Sequence, residues 1–134
     1  MLTYGDGVAD VDLKALVRFH EQHGKIATVT GVRPSSRFGE LMATGDQVTA
    51  FSEKPRMHEG LINGGFFVFD LKVSQYVRTD PGCVFEREPM ERLAADGQLA
   101  VYRHSGFWQC MDTYPDHQQL QQLWASGEAA WKTW

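Results

Sequence analysis

The chain has 134 residues and a mass of 15.2 kDa, enough for one domain with a core but short for an enzyme that must hold two substrates. Its 43% apolar and 22% charged residues are ordinary for a globular protein and exclude a disordered tail or a coiled coil. With 13 basic and 17 acidic residues the net charge is −4, so a basic surface for nucleic acid is lacking, and no apolar run approaches the ~18 residues of a membrane span. The opening residues show no charged segment followed by an apolar run, so secretion is not indicated. Cys83 and Cys110 form neither a CxxC nor a dense framework and read as reduced thiols of a cytoplasmic protein.

In chain order, Met1 to Tyr4 predicts a short strand ending in the turn Gly5-Asp6-Gly7, and a strand this short at a terminus reads as a cut edge. Asp10 or Asp12 can cap a helix whose Leu13, Leu16, Val17 and His20 recur at helical spacing, with Gly24 suited to the left-handed position after it. Ile26 to Val32 is β-branched and nearly uniform in apolarity, as in a strand buried on both faces. Strand, helix and strand together predict a βαβ unit and an α/β sheet. Phe38 to Ala43 and Gln47 to Glu53 predict a hairpin around Thr44-Gly45-Asp46, and Pro55 to Gly60 a loop. Leu61 to Phe69 predicts a long strand containing glycines. Short helices are expected after Asp70 and over Phe85 to Asp96, with Gly97 as the stop. Leu99 to His104 predicts a further strand, and Gly106 to Asp112 leads into a last helix capped by Thr113, with Pro115 and Asp116 in its first turn and Gly127 at its end. The tail over 128–134 holds two tryptophans and is expected to pack on the domain or on another subunit.

Several residues suggest chemistry, each with a plainer alternative. Asp6 stands between glycines at the C-terminal end of a strand, where open α/β sheets bind ligands, and its carboxylate suits Mg²⁺; the alternative is an ordinary Asp-Gly turn. Asp112 lies where a strand meets a helix start, as a second ligand or as a carboxylate interacting with the helix dipole. Lys54, before Pro55, can meet a phosphate as a point charge; Glu53 and Lys54 can equally be a solvated ion pair at a sheet edge. Asn63, before Gly64-Gly65, can exchange hydrogen bonds with a sugar hydroxyl, and Asn-Gly is equally a hairpin turn. Asp10-Val11-Asp12 spells the DxD metal motif of many glycosyltransferases, but both acids are expected in the first helical turn. His20 and His23 share a helix face without further zinc-type partners, and neither a P-loop nor a Gly-x-Ser-x-Gly elbow is present.

Taken together, Leu2-Thr3-Tyr4-Gly5-Asp6-Gly7, Arg37-Phe38-Gly39, Phe51-Ser52-Glu53-Lys54-Pro55, Ile62-Asn63-Gly64-Gly65-Phe66, Glu88-Pro89-Met90-Glu91 and Met111-Asp112-Thr113 resemble the sugar-1-phosphate nucleotidyltransferases. Gly106-Phe107-Trp108-Gln109 and the tryptophan-rich C-terminus resemble their glucose-1-phosphate cytidylyltransferase branch. The resemblance implies a mixed, mostly parallel Rossmann-like α/β sheet with flanking helices, incomplete at its N-terminus. It also implies an Mg²⁺-dependent reaction of CTP with glucose 1-phosphate that gives CDP-glucose and pyrophosphate, for surface polysaccharide such as the O-antigen of lipopolysaccharide. By the same resemblance Asp6 and Asp112 hold the metal, Lys54 neutralises the sugar phosphate, and Glu53, Asn63 and the backbone of Gly39 bind sugar hydroxyls. Asp6, Lys54 and Asp112 are then the catalytic set, in a cytoplasmic homo-oligomer that binds neither nucleic acid nor membrane.

The family's glycine-rich loop of the Gly-x-Gly-Thr-Arg-Leu type, which clamps the triphosphate, has no counterpart here. Residues 1–134 are therefore expected to be the C-terminal part of one nucleotidyltransferase domain, inactive alone. A non-catalytic remnant or an oligomerisation module that pairs with a complete subunit is the alternative expectation.

Overall fold

The computed structural model describes residues 1–34, 40–52 and 60–134. Its main sheet has four strands, β1 (Leu2–Thr3), β3 (Ala27–Val32), β6 (Ile62–Phe69) and β7 (Leu99–Arg103), in the order β1-β6-β3-β7. Strand β6 runs antiparallel to β1 and β3, with Phe67 facing Leu2 on one side and Val29 on the other, whereas β7 is parallel to β3. Three strands thus share one direction and β6 alone is reversed, the mixed and mostly parallel sheet that was expected.

The strand-helix-strand unit is present but opened. Strands β1 and β3, joined through α1 (Leu13–His23), are not neighbours, because β6 lies between them. Phe66 to Phe69 is continuously apolar, as in a strand buried on both faces, and β6 takes an interior place in the sheet. Two further pairs stand outside the main sheet. The expected hairpin is β4 (Glu40–Thr44) against β5 (Gln47–Ser52), with Gly45 at φ 57° in the turn. The ladder of β2 (Gly7–Ala9) with β8 (Trp108–Cys110) was not anticipated from the sequence.

Helix α1 begins at Asp12, whose Oδ1 accepts from the Ala15 amide at 2.9 Å, and ends at Gly24 in the left-handed conformation, φ 64°. Asp10 lies outside its first turn, which corrects the expectation for the DxD pair. Leu16 is fully buried, while Leu13 remains 46% exposed. Beneath the helix, fully buried Thr28 of β3 receives both histidines, His20 Nδ1 at 2.9 Å and His23 Nε2 at 2.7 Å. The Lys25 amide donates to His23 Nδ1 at 2.9 Å, so the proton of neutral His23 sits on Nε2 and is donated to the Thr28 hydroxyl. The helix-face pair of histidines is therefore a satisfied polar seam.

The opposite face of β3 starts with Ala27, which packs with Tyr76 and Leu93 in a cluster completed by Ile26, Phe69, Val73, Met90 and Leu99. Phe67 stacks on Phe69 at 5.5 Å, and Phe85 meets both rings edge-on. A 3-10 turn over Leu71–Gln75, capped by Asp70, replaces the first short helix expected. Phe85 precedes α2 (Glu88–Ala95) instead of starting it, because Pro89 is suited to the first helical turn. The last helix, α3 (Tyr114–Ser126), has the full reciprocal cap between Thr113 and Asp116 and ends at Gly127, φ 77°. Of the tail, Trp131 packs on its own domain, 5.3 Å from Phe107 and 6.5 Å from Trp124, with the Lys132 ammonium 5.0 Å from the Trp124 ring, whereas Trp134 is exposed.

Burial holds the pKa of both His20 and His23 below the ordinary 6.5. Below that pH the unfolded chain binds more protons than the native one, so stability is constant above it and falls as the pH drops through it. We expect the melting temperature to be flat from about pH 8 to 7 and to decline from about pH 6.5 to 5. Replacing both histidines by Asn should flatten that decline in thermal scans; an undiminished decline would assign it to other groups.

Candidate functional site

The parallel strands β1, β3 and β7 point their C-terminal ends to one edge of the sheet, and the reversed β6 brings its N-terminal end, Ile62 and Asn63, to the same edge. That edge is where open α/β sheets place ligands. Asp6 follows β1 there. The β2–β8 ladder pairs Gly7 with Cys110, Val8 with Gln109 and Ala9 with Trp108, and the Met111 amide extends it by donating to the Asp6 carbonyl at 2.7 Å. Asp112 is the next residue, so the ladder brings the backbones of two acidic residues far apart in sequence near one another. Both residues are exposed, and Asp112 Oδ2 accepts a weak bond from Cys110 Sγ at 3.3 Å.

The ladder is tied to the main sheet by Trp108, whose indole Nε1 donates to the buried carbonyl of Gly64 at 2.8 Å. The Tyr4 amide donates to the Gly65 carbonyl at 3.0 Å. Asn63 is held by two of its own bonds: Oδ1 accepts from the Gly65 amide at 2.9 Å, and Nδ2 donates to the Tyr4 hydroxyl at 3.1 Å. That hydroxyl in turn donates to Glu86 Oε1 at 2.8 Å. Burial, then the bond to Glu86, raises the Tyr4 pKa above 10.0, which keeps it a donor at neutral pH. Beside this chain lies a cavity of about 240 Å³ with Val29, Gly31, Met90 and Val101 on its apolar walls and Asn63 and Glu86 as its polar groups.

Strand β6 is continuous through Asn63-Gly64-Gly65, so the hairpin alternative does not hold. The glycines are needed because neighbouring strands approach closely on both sides. A Cβ on Gly65, at φ 77°, would lie 2.8 Å from Tyr4 Cδ2, and one on Gly64 would lie 2.8 Å from Val32 Cγ1 and 3.0 Å from the Thr30 carbonyl oxygen. Tyr4, Glu86 and Trp108 were missed as site residues. Trp108 lies in the Phe-Trp-Gln stretch that carried the resemblance, but nothing in local sequence signals its reach across to β6. Gly39, Glu53 and Lys54 lie outside the described residues.

Among the described residues no group of three or more His, Cys, Asp and Glu side chains could hold a metal ion. Asp6 and Asp112 nevertheless offer hard oxygen donors on adjoining strand ends, a set that fits a divalent cation whose remaining ligands are waters and substrate phosphates.

The sequence pattern that defines nucleotidyl transferases matches residues 1–125. The chain belongs to the nucleotidyl transferase family. This nucleotidyl transferase chain is 48% identical over all 134 residues to the glucose-1-phosphate cytidylyltransferase of Salmonella typhimurium, and it spans 52% of that protein's length. It is 33% identical over 108 residues to the mannose-1-phosphate guanylyltransferase catalytic subunit beta of Xenopus tropicalis, covering 77% of this chain and 30% of that one. The crystal structure of HddC from Yersinia pseudotuberculosis superposes with a TM-score of 0.62 at 18% identity, over 90% of this chain and 52% of the other, a likeness of fold. The chain thus spans about half the length of the curated relative it matches end to end.

Replacing Gly65 by Ala should force a strained left-handed residue against the Tyr4 ring and lower stability by about 1–3 kcal/mol. Tyr4→Phe, which keeps the ring, should cost less. Urea unfolding midpoints of the two variants check the order, and a Gly65→Ala variant as stable as the parent would remove the close approach as the reason for the glycine.

Proposed function

We propose that this chain is the sugar- and metal-binding part of a glucose-1-phosphate cytidylyltransferase, the C-terminal part of its catalytic domain. One observation supports the reading: in a chain 48% identical throughout to such an enzyme, the β2–β8 ladder joins the backbone at Asp6 to Met111, next to Asp112. The overall reaction joins CTP and glucose 1-phosphate. A sugar phosphate oxygen forms a bond to the α-phosphorus of CTP, the bond to the β-phosphate oxygen breaks in line, and pyrophosphate leaves with CDP-glucose as product. Such a reaction needs reactants to be positioned and charge to be neutralised more than it needs covalent help from the protein.

Asp6 and Asp112 would hold Mg²⁺, which when bound offsets the negative charge of the phosphates. Lys54 meets the sugar phosphate as a point charge, while Glu53 and the backbone of Gly39 take sugar hydroxyls. Asn63 serves the sugar with the second Nδ2 hydrogen and second Oδ1 lone pair left after its bonds to Tyr4 and Gly65. The groups that clamp the triphosphate and read the cytosine lie outside these 134 residues on this reading, since the sequence contains no glycine-rich phosphate loop of the family's type. Similarity to a guanylyltransferase as well as to a cytidylyltransferase supports placing base specificity elsewhere. The protein acts in the cytoplasm as a homo-oligomer and supplies CDP-glucose for surface polysaccharide.

The 134-residue chain alone should release no pyrophosphate from CTP and glucose 1-phosphate, and measurable turnover would overturn the division of labour proposed here. In an enzyme that includes the nucleotide-binding half, Asp6→Asn and Asp112→Asn should each lower the Mg²⁺-dependent rate on the order of a hundredfold. Unchanged dependence of rate on Mg²⁺ concentration in both variants would take the pair out of the metal site.

A further inference from the structure

We propose that Asp10 and His104 form a bracket that keeps the β2–β8 ladder closed against the main sheet, and that they are positioning residues for Asp6 and Asp112. The bracket stands on its own geometry. Only its consequence for a cation rests on the metal reading given above.

A two-stranded ladder of three residue pairs is marginal by itself and opens unless something holds its ends. One end of this ladder is closed by the Met111 amide on the Asp6 carbonyl at 2.7 Å, and the other by the Asp10 amide on the Phe107 carbonyl at 3.2 Å. His104 joins that second end to the sheet. Its amide donates to the Gly31 carbonyl at 3.0 Å, which fixes its backbone to the end of β3. Its Nε2 lies 3.0 Å from the Phe107 carbonyl and, because a carbonyl only accepts, must carry the proton. The same nitrogen is 2.9 Å from Asp10 Oδ1. That oxygen is buried and makes no hydrogen bond of regular geometry, so the adjacent imidazole is what offsets its removal from water.

Gly106 gives independent support. Its backbone is not left-handed, yet a Cβ there would lie 2.3 Å from Asp10 Oδ1 and 2.7 Å from His104 Cε1. A side chain is excluded because the Asp10 carboxylate occupies its place. On the outer side the Trp131 ring, 5.3 Å from Phe107, covers the same joint. Asp10 is four residues beyond Asp6 on one strand, and Phe107 leads through β8 to Asp112 on the other. Opening the joint lets the strands shift in register, and the two carboxylates separate.

The test is amide hydrogen exchange together with an Mn²⁺ titration followed by broadening of the amide signals around Asp6 and Asp112. In His104→Phe, which keeps the ring volume but loses both contacts, exchange at the Asp10 and Met111 amides should quicken at least tenfold while the β3 amides keep their protection. Mn²⁺ affinity should weaken roughly tenfold, the scale of effect of residues that orient metal ligands. Asp10→Asn, which keeps the shape and loses the charge, should fall between the parent and His104→Phe, and it carries the same measurement if His104→Phe does not fold. Tyr76→Phe, which loses a 2.9 Å bond to Asp96 in the other cluster, should lower the melting temperature and leave Mn²⁺ affinity unchanged. Unchanged exchange at Asp10 and Met111 overturns the bracket, and a ladder that opens with unaltered Mn²⁺ affinity overturns its positioning role. If the unsubstituted protein binds no Mn²⁺, the metal reading fails while the exchange result still decides the bracket.

Discussion

The site depends on the pairing of Gly7 to Ala9 with Trp108 to Cys110. Three residue pairs are too few to persist as an isolated ribbon, so the ladder exists only because other contacts hold it. Trp108 supplies one from within, spanning from β8 to the Gly64 carbonyl of β6. β6 also receives the Tyr4 amide at Gly65, so the residue two before Asp6 and the partner strand of the residues after it are held by adjacent glycines. Asp6 therefore has little freedom of backbone although its carboxylate faces water.

The reversed strand β6 ties these features to the core. Its apolar half, Phe67 to Phe69, lies in a cluster of aromatic rings with Phe85, while its first residues reach the ligand edge. An antiparallel strand placed between two that run the other way delivers its N-terminal residues to the edge where its neighbours deliver their C-terminal ones. Asn63 comes to lie beside Tyr4 by this reversal and donates to its hydroxyl, which donates in turn to Glu86 and carries the order on to the segment before α2. Packing of the core and placement of the polar edge are thus two ends of one strand.

Much of the fold was legible in local sequence. Thr113 with Asp116, Gly24 and Gly127 mark helix ends through bonds among near neighbours, and the β-branched run over 27–32 marks a strand by its burial preference. The hairpin over 40–52 follows from a turn whose glycine must be left-handed. Where local patterns misled, a distant partner had intervened. Asp10 has the spacing of a helix-start acid but lies beside His104, and Asn63-Gly64 has the composition of a turn but continues a strand paired with β3, with Val32 and Tyr4 close against Gly64 and Gly65. The two histidines of α1 show no partner in sequence and find Thr28 in the fold.

By itself the sequence determined the chemistry on offer: carboxylates at two strand ends, a glycine-containing strand, an acidic balance that disfavours nucleic acid, and motifs in the order that marks the nucleotidyl transferase family. It also determined the element types, since caps, turns and burial patterns act over a few residues. Only the tertiary structure decided which elements meet. The order β1-β6-β3-β7, the separate β2–β8 ladder and the joining of Asp6 to Met111 depend on contacts between segments up to a hundred or so residues apart. Such contacts are selected by how well whole faces fill space and satisfy buried polar groups together, and no short stretch of sequence contains that information.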